Sequence, residues 1–122
     1  MKGATKNLAP ALVEVLARLE RAVGMELTIN SGYRDPEHNH DVGGVDGSEH
    51  TYDPAEGADV LCLRSVTRFK LVREALMCGV TRIGIGKDFV HIGVATDKPQ
   101  AVIWHYYPTE KKGASPNGDF AI

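Results

Sequence analysis

The sequence is poor in cysteine and in aromatic residues, balanced in charge, and free of long apolar runs. Its two cysteines, Cys62 and Cys78, cannot build the disulfide framework of a small secreted domain, and we expect them to be buried free thiols. With 14 basic against 16 acidic residues, the formal net charge of −2 lacks the basic excess of domains that bind nucleic acid electrostatically. No apolar stretch approaches the roughly 20 residues that cross a bilayer, so the sequence predicts no membrane span.

What is present suits one globular domain. Hydrophobic residues make up 43% of the 122 residues, which is enough for a single core. We therefore predict one domain over residues 1–122 that ends in a loose polar tail at 109–122. The start of the chain lacks the pattern of a secretory signal, which predicts a protein that is cytoplasmic as synthesised. We also expect a monomer.

Hydrophobic periodicity predicts two main helices. The first covers about 10–23 and has Pro10 in its first turn, where proline is well tolerated. The second covers 66–77 and would be capped by the side chain of Ser65. The side chains that the second helix is expected to bury are Phe69, Val72 and Leu76.

Short apolar runs separated by turn residues predict strands at 27–30, 58–63, 82–86, 89–95 and 101–107. Residues 35–57 form a long polar stretch that is rich in glycine, aspartate and histidine and is interpreted as a loop. A loop of that length in a small domain usually has a function or lacks order. Because helices and strands are mixed without regular alternation, the pattern favours an α+β fold.

Two histidines and one aspartate stand where they could share a metal ion. His50 lies toward the end of the polar stretch, Asp59 heads a predicted strand, and His91 lies inside another. Two imidazoles and a carboxylate are a ligand set of catalytic zinc, which keeps a fourth position for water. Asp88, three residues before His91, could then accept a proton as general base if the Gly86 turn redirects it. The alternative is structural: His91 is a histidine at the edge of the core, and Asp59 caps a turn.

Five short motifs follow one another in an order that resembles a known family. They are Ser31-Gly32-Tyr33-Arg34-Asp35-Pro36-Glu37-His38-Asn39, Val42-Gly43-Gly44, Ser48-Glu49-His50, Glu56-Gly57-Ala58-Asp59 and Phe89-Val90-His91. This succession is similar to that of the zinc D-Ala-D-Ala carboxypeptidases and their phage endolysin relatives, the M15 peptidases, whose metal core is shared with Hedgehog domains. The resemblance covers about residues 31–94.

The resemblance implies a fold, a cofactor and a reaction. The fold would be a small antiparallel sheet with two main helices. The cofactor would be Zn²⁺, bound by His50, Asp59 and His91, and Asp88 would be the catalytic base. The reaction would be hydrolysis of a peptidoglycan stem-peptide bond next to a D-amino acid, and the absence of a secretory signal would fit release to the cell wall by phage-type lysis.

The resemblance also implies substrate contacts. Arg34 would bind a substrate carboxylate and stabilise negative charge on the reacting carbonyl, roles that suit a guanidinium. Tyr33 and Ser48 would contact substrate as well. Alternatively, the hydroxyl of Ser48 could orient a metal-binding residue without contacting the metal itself.

This chain departs from the family pattern at three places. The interval from His50 to Asp59 is two residues longer than usual and contains Asp53 and Pro54. Asp88 stands where many members have glutamate. Gly93 stands two residues after the last histidine, where members often carry an acid, so His91 is expected to lack a carboxylate that orients it.

Other histidines and aromatic residues leave alternatives open. His38 and His40 are interpreted as solvated rather than metal-binding, and His105 competes with His91 but has no acid three residues before it. Trp104 and Tyr106 could pack at the rim of the core or form a substrate wall.

The function itself also has alternatives to a carboxypeptidase. One is an endopeptidase that cuts between L-Ala and D-Glu, as some endolysins do. Another is a non-catalytic metal-binding relative that recognises wall peptides. The acid at Asp88 favours an enzyme, because an inactive relative needs no base.

Overall fold

Six strands form one mixed sheet in the computed structural model, which describes residues 1–108. The strands are β1 (Lys2–Gly3), β2 (Thr28–Ser31), β3 (Gly57–Leu61), β4 (Arg82–Ile85), β5 (Phe89–Gly93) and β6 (Val102–His105). Their order across the sheet is β1-β2-β3-β5-β4-β6. The helices are α1 (Pro10–Val23), α2 (Pro36–Asp41) and α3 (Ser65–Met77), together with a short 3-10 helix at Glu49–Thr51. The α+β prediction is confirmed, and the predicted tail at 109–122 lies outside the described residues.

The prediction of an antiparallel sheet holds only for its centre. Strands β2, β3, β5 and β4 pair antiparallel, whereas β1 joins β2 and β6 joins β4 in parallel. The parallel edges were missed because β1 has only two residues and because a strand's pairing direction depends on the connection before it, which local periodicity does not record.

The two faces of the sheet have different partners. Side chains alternate along a strand, and on β3 and β5 the positions Ala58, Val60, Val90 and Ile92 are fully buried in the same core as the helices. The polar residues of these two strands, Asp59 and His91, stand at the intervening positions, together with two glycines, Leu61 and Phe89. One such row, in register across four strands, reads Asp59, His91, Gly84, Trp104. The apolar face thus holds the sheet to the helices, and the opposite face is free to carry chemistry.

Helix α1 has the predicted limits and supplies the largest apolar stripe. Leu12, Leu16 and Leu19, spaced four and three residues apart on one face, are completely buried. The helix ends at Gly24, which adopts φ 80° and donates its N–H to the carbonyl of Glu20. This left-handed end needs no Cβ, as expected of a glycine there.

Helix α3 buries a different face from the predicted one. Leu71 and Ala75 are fully buried, whereas Phe69 is 65% exposed and Leu76 is 52% exposed. Only Val72, at the edge of the contact stripe, is partly buried as predicted. The reason is geometric: positions 71 and 75 are one turn apart and face α1 and the sheet, and the stripe through 69 and 76 is rotated away from them.

The start of α3 also differs from the prediction. The N-cap residue is Arg64 rather than Ser65, and no side chain caps the helix. Arg68 instead ties the helix to the sheet, because its guanidinium donates to the carbonyls of Gly86 (3.2 Å) and Lys87 (2.8 Å).

The polar stretch at 35–57 is ordered by hydrogen bonds in place of a core. Asp35 caps α2 by accepting from the N–H of His38 at 2.8 Å. Asn39 is buried and donates to the carbonyl of Val45 at 2.9 Å, which folds the chain after α2 back on itself. A loop prediction missed these turns because side-chain-to-backbone bonds leave no hydrophobic periodicity.

Within residues 1–108, no helix is both long enough and apolar enough to cross a membrane.

A pair of leucines on α3 tests which face of this helix carries stability. We expect Leu71→Ala to lower the free energy of unfolding by about 2–5 kcal/mol, because it empties a fully buried site. Leu76→Ala, the same change on the same helix at a half-exposed position, should cost less than about 1 kcal/mol. Urea denaturation of both variants measures the difference, and equal losses would contradict the observed orientation of α3.

Candidate metal centre

Three side chains from distant parts of the chain meet on the polar face of the sheet. Asp59 Oδ1 lies 3.2 Å from His50 Nε2 and 2.9 Å from His91 Nδ1. One potential ligand atom from each residue lies within 4.8 Å of the other two, and the imidazole centroids are 5.0 Å apart. Both histidines are buried. The structure therefore brings together the three residues predicted as metal ligands.

The 3-10 helix presents His50. Its N-cap is Ser48, whose hydroxyl accepts from the N–H of His50 at 3.2 Å. The ring is held from the other side, because Nδ1 lies 2.7 Å from the carbonyl oxygen of Gly32. Two residues after Gly32, the N–H of Arg34 donates to the His50 carbonyl at 2.8 Å. The segment that carries Arg34 and the segment that carries His50 are thereby fixed to each other.

Strand pairing positions the other two residues. Asp59 on β3 is directly opposite His91 on β5 in the antiparallel register. Both point away from the helices, because their neighbours Val60 and Val90 fill the core. Side chains opposite each other on paired strands have Cβ atoms about 5 Å apart, so this register is sufficient to bring the carboxylate to the imidazole.

The hydrogen-bond partners determine which nitrogen of each histidine faces the cluster. The Gly32 carbonyl can only accept, so His50 carries its proton on Nδ1 and presents the lone pair of Nε2. For His91 the arrangement is reversed: Nδ1 faces Asp59, and Nε2 lies 3.5 Å from Oε2 of Glu49.

These donor groups fit zinc. Donors about 2 Å from a tetrahedral zinc ion are about 3.3 Å apart, which is close to the two distances from Asp59. In each histidine, the ring nitrogen that faces away from the cluster lies near an oxygen atom, as is usual for metal-binding histidines. Zinc would therefore be held by His50 Nε2, Asp59 Oδ1 and His91 Nδ1.

The longer interval between His50 and Asp59 is absorbed by packing against the start of the chain. Ala55 is fully buried, and it exchanges backbone hydrogen bonds with Asn7 (2.9 Å) and Ala9 (2.8 Å). The side chain of Asn7 donates to Asp53 at 2.8 Å. The added residues thus dock away from the cluster and leave the ligand geometry intact.

Charges within the cluster shift its proton affinities. Burial lowers the pKa of His91, but the hydrogen bonds and charges of Asp59 and Glu49 outweigh it and raise the pKa to about 8. Burial raises the pKa of Asp59, but its hydrogen bonds with His50 and His91 outweigh this and hold the pKa well below its usual range. Without metal, the cluster is therefore an ion pair between a carboxylate and an imidazolium near neutral pH.

The cluster opens into a cleft of about 630 Å³. Arg34 lines it, and the Nε of Arg34 is buried without a hydrogen-bond partner among the described residues. Trp104 and Tyr106 form one wall, with the Trp104 ring 5.5 Å from that of His91. Of the two roles open to these aromatic residues, the structure favours the wall of the cleft.

The pKa of Tyr106 is relevant to this wall. Desolvation of the hydroxyl within the cleft, with the negative charges of Asp59 and Glu49, raises the pKa of Tyr106 to about 12, although 47% of the residue is exposed. The phenol is therefore a neutral hydrogen-bond donor at physiological pH.

Two residues predicted to act in the site lie apart from it. Asp88 is exposed in the bend between β4 and β5 and does not line the cleft, although its neighbour Phe89 does. Tyr33 is half-buried and is also absent from the cleft wall. Ser48 lines the cleft, but its hydroxyl is engaged in capping His50.

The remaining candidates are placed as follows. His38 and His40 are exposed on α2, in agreement with the solvated interpretation. His105 lines the cleft but does not belong to the three-residue cluster, and its Nδ1 accepts from the N–H of Tyr107. Cys62 is a buried free thiol as predicted, and Cys78 is free but only partly buried.

Sequence reasoning missed three charged residues that line the cleft: Glu49, Arg82 and Lys98. In the sequence, Glu49 is only the middle residue of the motif Ser48-Glu49-His50. A glutamate between two positions of a metal motif could have been suspected, but its burial, with 2% of its surface exposed, depends on strands far along the chain. Arg82 and Lys98 carry no local signal.

The raised pKa of His91 predicts how the metal-free protein responds to pH. Since the folded value of about 8 exceeds the unfolded value of 6.5, this group stabilises the fold fully below pH 6.5, and the contribution is lost as pH rises through 8. The loss is at most about 2 kcal/mol. Urea denaturation with a chelator at pH 6 and pH 9 measures it. His91→Gln should remove this alkaline loss, and an undiminished loss in that variant would contradict the assignment.

Comparison with known protein families matches the chain, over residues 1–93, to the family model described as Peptidase M15. The matched segment covers 93 of the 122 residues and includes all three residues of the cluster. No curated protein matches the chain significantly.

Proposed function

Because the chain belongs to the Peptidase M15 family, we propose that it is a zinc-dependent peptidase acting on peptidoglycan. The bond cut would lie next to a D-amino acid in the stem peptide, as in a D-Ala-D-Ala carboxypeptidase. The enzyme would act on the bacterial cell wall, a site of action that phage-type lysis would make accessible. The observation that carries the proposal is the convergence of His50, Asp59 and His91 in the lining of an open cleft.

Zinc bound to these three residues would act as a Lewis acid and lower the pKa of a coordinated water, since such a set leaves a fourth position. The remaining work falls to the chain's own side chains. The carbonyl oxygen of Gly32 orients the ring of His50, and Asp59 stays ionised through its histidine partners.

Arg34 is the proposed binder of a substrate carboxylate. Its guanidinium lines the cleft and its buried Nε has no partner in the described part of the chain, so an anionic substrate group would satisfy a donor that is otherwise costly to bury. Tyr106 can donate a hydrogen bond from the aromatic wall, and Trp104 offers a flat apolar surface to the peptide.

Asp88 stays the predicted proton acceptor. Its exposed position in the bend before Phe89 means that the bend must turn the carboxylate into the cleft when substrate binds. Glu49 lines the cleft but is paired with Arg82, which makes it a poor acceptor.

Two other functions are distinguished by product analysis. An endopeptidase that cuts between L-Ala and D-Glu would use Arg34 for the side-chain carboxylate of D-Glu, and a non-catalytic relative would bind wall peptides without products. Incubation of the zinc-loaded protein with purified muropeptides, followed by mass spectrometry, separates the three. Release of terminal D-Ala supports the main proposal, and intact muropeptides would refute any peptidase function.

Arg34 provides the sharpest test of substrate recognition. We expect wild-type protein to cleave a peptide ending in free D-Ala-D-Ala about 10–100-fold better, in kcat/KM, than the same peptide with a C-terminal amide, because the amide removes a charge-assisted contact. Arg34→Met should erase this preference without changing bound zinc. A preference that persists in the variant would show that another group binds the carboxylate.

Asp88→Asn tests the proton acceptor. Removal of the carboxylate should leave zinc stoichiometry unchanged and reduce kcat by about 10²–10⁴-fold, the usual contribution of a general base. Asp97→Asn, at another exposed aspartate, is the control for surface charge. If Asp88→Asn keeps wild-type turnover, the acceptor is one of the groups that line the cleft.

A further inference from the structure

Glu49 is a buried carboxylate that the ligand set does not use. It stands between Ser48 and His50 in the 3-10 helix, with 2% of its surface exposed. Its Oε1 forms an ion pair with Nε of Arg82, and its Oε2 lies 3.5 Å from Nε2 of His91. Burial of a carboxylate is costly unless its partners compensate for the lost water, so this placement requires an explanation.

Two facing glycines make room for this carboxylate. Gly57 on β3 is opposite Gly93 on β5, in the row next to Asp59 and His91. A Cβ on Gly93 would collide with Oε2 of Glu49, and one on Gly57 would lie 2.8 Å from the Cβ of Glu49. No side chain at position 93 could coexist with Glu49 as it is placed.

Position 93 is the place where members of the family often carry an acid behind the last histidine, and the glycine there predicts that His91 lacks one. A carboxylate occupies that space after all, but it comes from the other side of the cleft. The strand therefore has no side chain at position 93, and the space left there is occupied by the carboxylate of Glu49 from the 3-10 helix.

We propose that Glu49 is the positioning carboxylate of His91, with Arg82 as its counter-charge, and that it replaces an acid at position 93. This inference rests on the proposed zinc site. When Nδ1 of His91 binds metal, the ring proton resides on Nε2, and Oε2 of Glu49 is the acceptor that faces it. That oxygen is buried and has no hydrogen-bond partner within residues 1–108, so it is available to accept this proton.

Arg82 pairs with this carboxylate and holds it in place. Its own side chain is nearly buried and is fixed by two further contacts, a donation to the Pro99 carbonyl at 2.7 Å and the ring of Trp104 at 4.9 Å from its guanidinium carbon. Arg82 on β4 is the register partner of Gly93 on β5, so the cation lies beside the space that Gly93 leaves open. The counter-charge is thus attached to both the sheet and the cleft wall.

A purely structural ion pair is the competing explanation, and the zinc affinity distinguishes the two. If Glu49 only anchors Arg82, Glu49→Gln will lower the stability of the metal-free fold but leave the zinc affinity of the folded protein unchanged. If Glu49 positions His91, the same isosteric change should weaken zinc binding about 10–100-fold. Glu14→Gln, at an exposed site on α1, is the matched control and should bind zinc as wild type does.

A double variant that moves the acid from position 49 to position 93 provides a second test. Glu49→Ala should weaken zinc binding, and Glu49→Ala combined with Gly93→Asp should restore it to within several-fold of wild type, because the new carboxylate enters the vacated space. Gly93→Asp alone should destabilise the fold, since it collides with Glu49. Zinc dissociation constants come from competition with a chromogenic chelator, and the visible spectrum of Co²⁺-loaded protein reports the ligand geometry independently of activity.

Each result decides between the explanations. Wild-type affinity and an unchanged Co²⁺ spectrum in Glu49→Gln would overturn the inference, as would a double variant that fails to regain zinc affinity. If Glu49→Gln does not fold, the double variant alone decides. Failure of the wild-type protein to bind zinc would instead refute the proposed function, so the two failures are distinguishable.

Discussion

The antiparallel pairing of β3 with β5 is the constraint on which the site depends. It places Asp59 opposite His91 and, one row away, Gly57 opposite Gly93. A slip of one residue would turn every outward side chain into the core, so the same apolar residues that pack against the helices also fix the geometry of the cluster. One strand register thus determines both the packing of the core and the geometry of the site.

On the outward face, charges alternate along a chain of contacts. Arg82 meets Glu49, Glu49 faces His91, and His91 and His50 share Asp59. Buried charges of this kind stabilise little by themselves, but removal of one member leaves its neighbour uncompensated. The arrangement explains how a buried glutamate persists beside a cluster that already contains an aspartate, since the cationic side chain of Arg82 and the protonated ring of His91 compensate for the two acids.

The sequence predicted the parts of this protein that local patterns encode. Periodicity placed α1, and motif order selected His50, Asp59 and His91 before any geometry was known. Local patterns could not predict contacts between residues that are far apart in the sequence. The exposure of Phe69 depends on which face of α3 meets the sheet, and the role of Glu49 depends on the absence of a side chain at position 93, more than 40 residues away. An absent side chain gives a signal only when its surroundings are known.

The location of Trp104 has a practical consequence. It is the single tryptophan of the chain, and its ring lies beside His91 and beneath the guanidinium of Arg82. The indole emission of the whole protein therefore originates within a few ångströms of the cluster. Ultraviolet fluorescence can follow the arrival of an ion or a ligand there directly, without an attached dye.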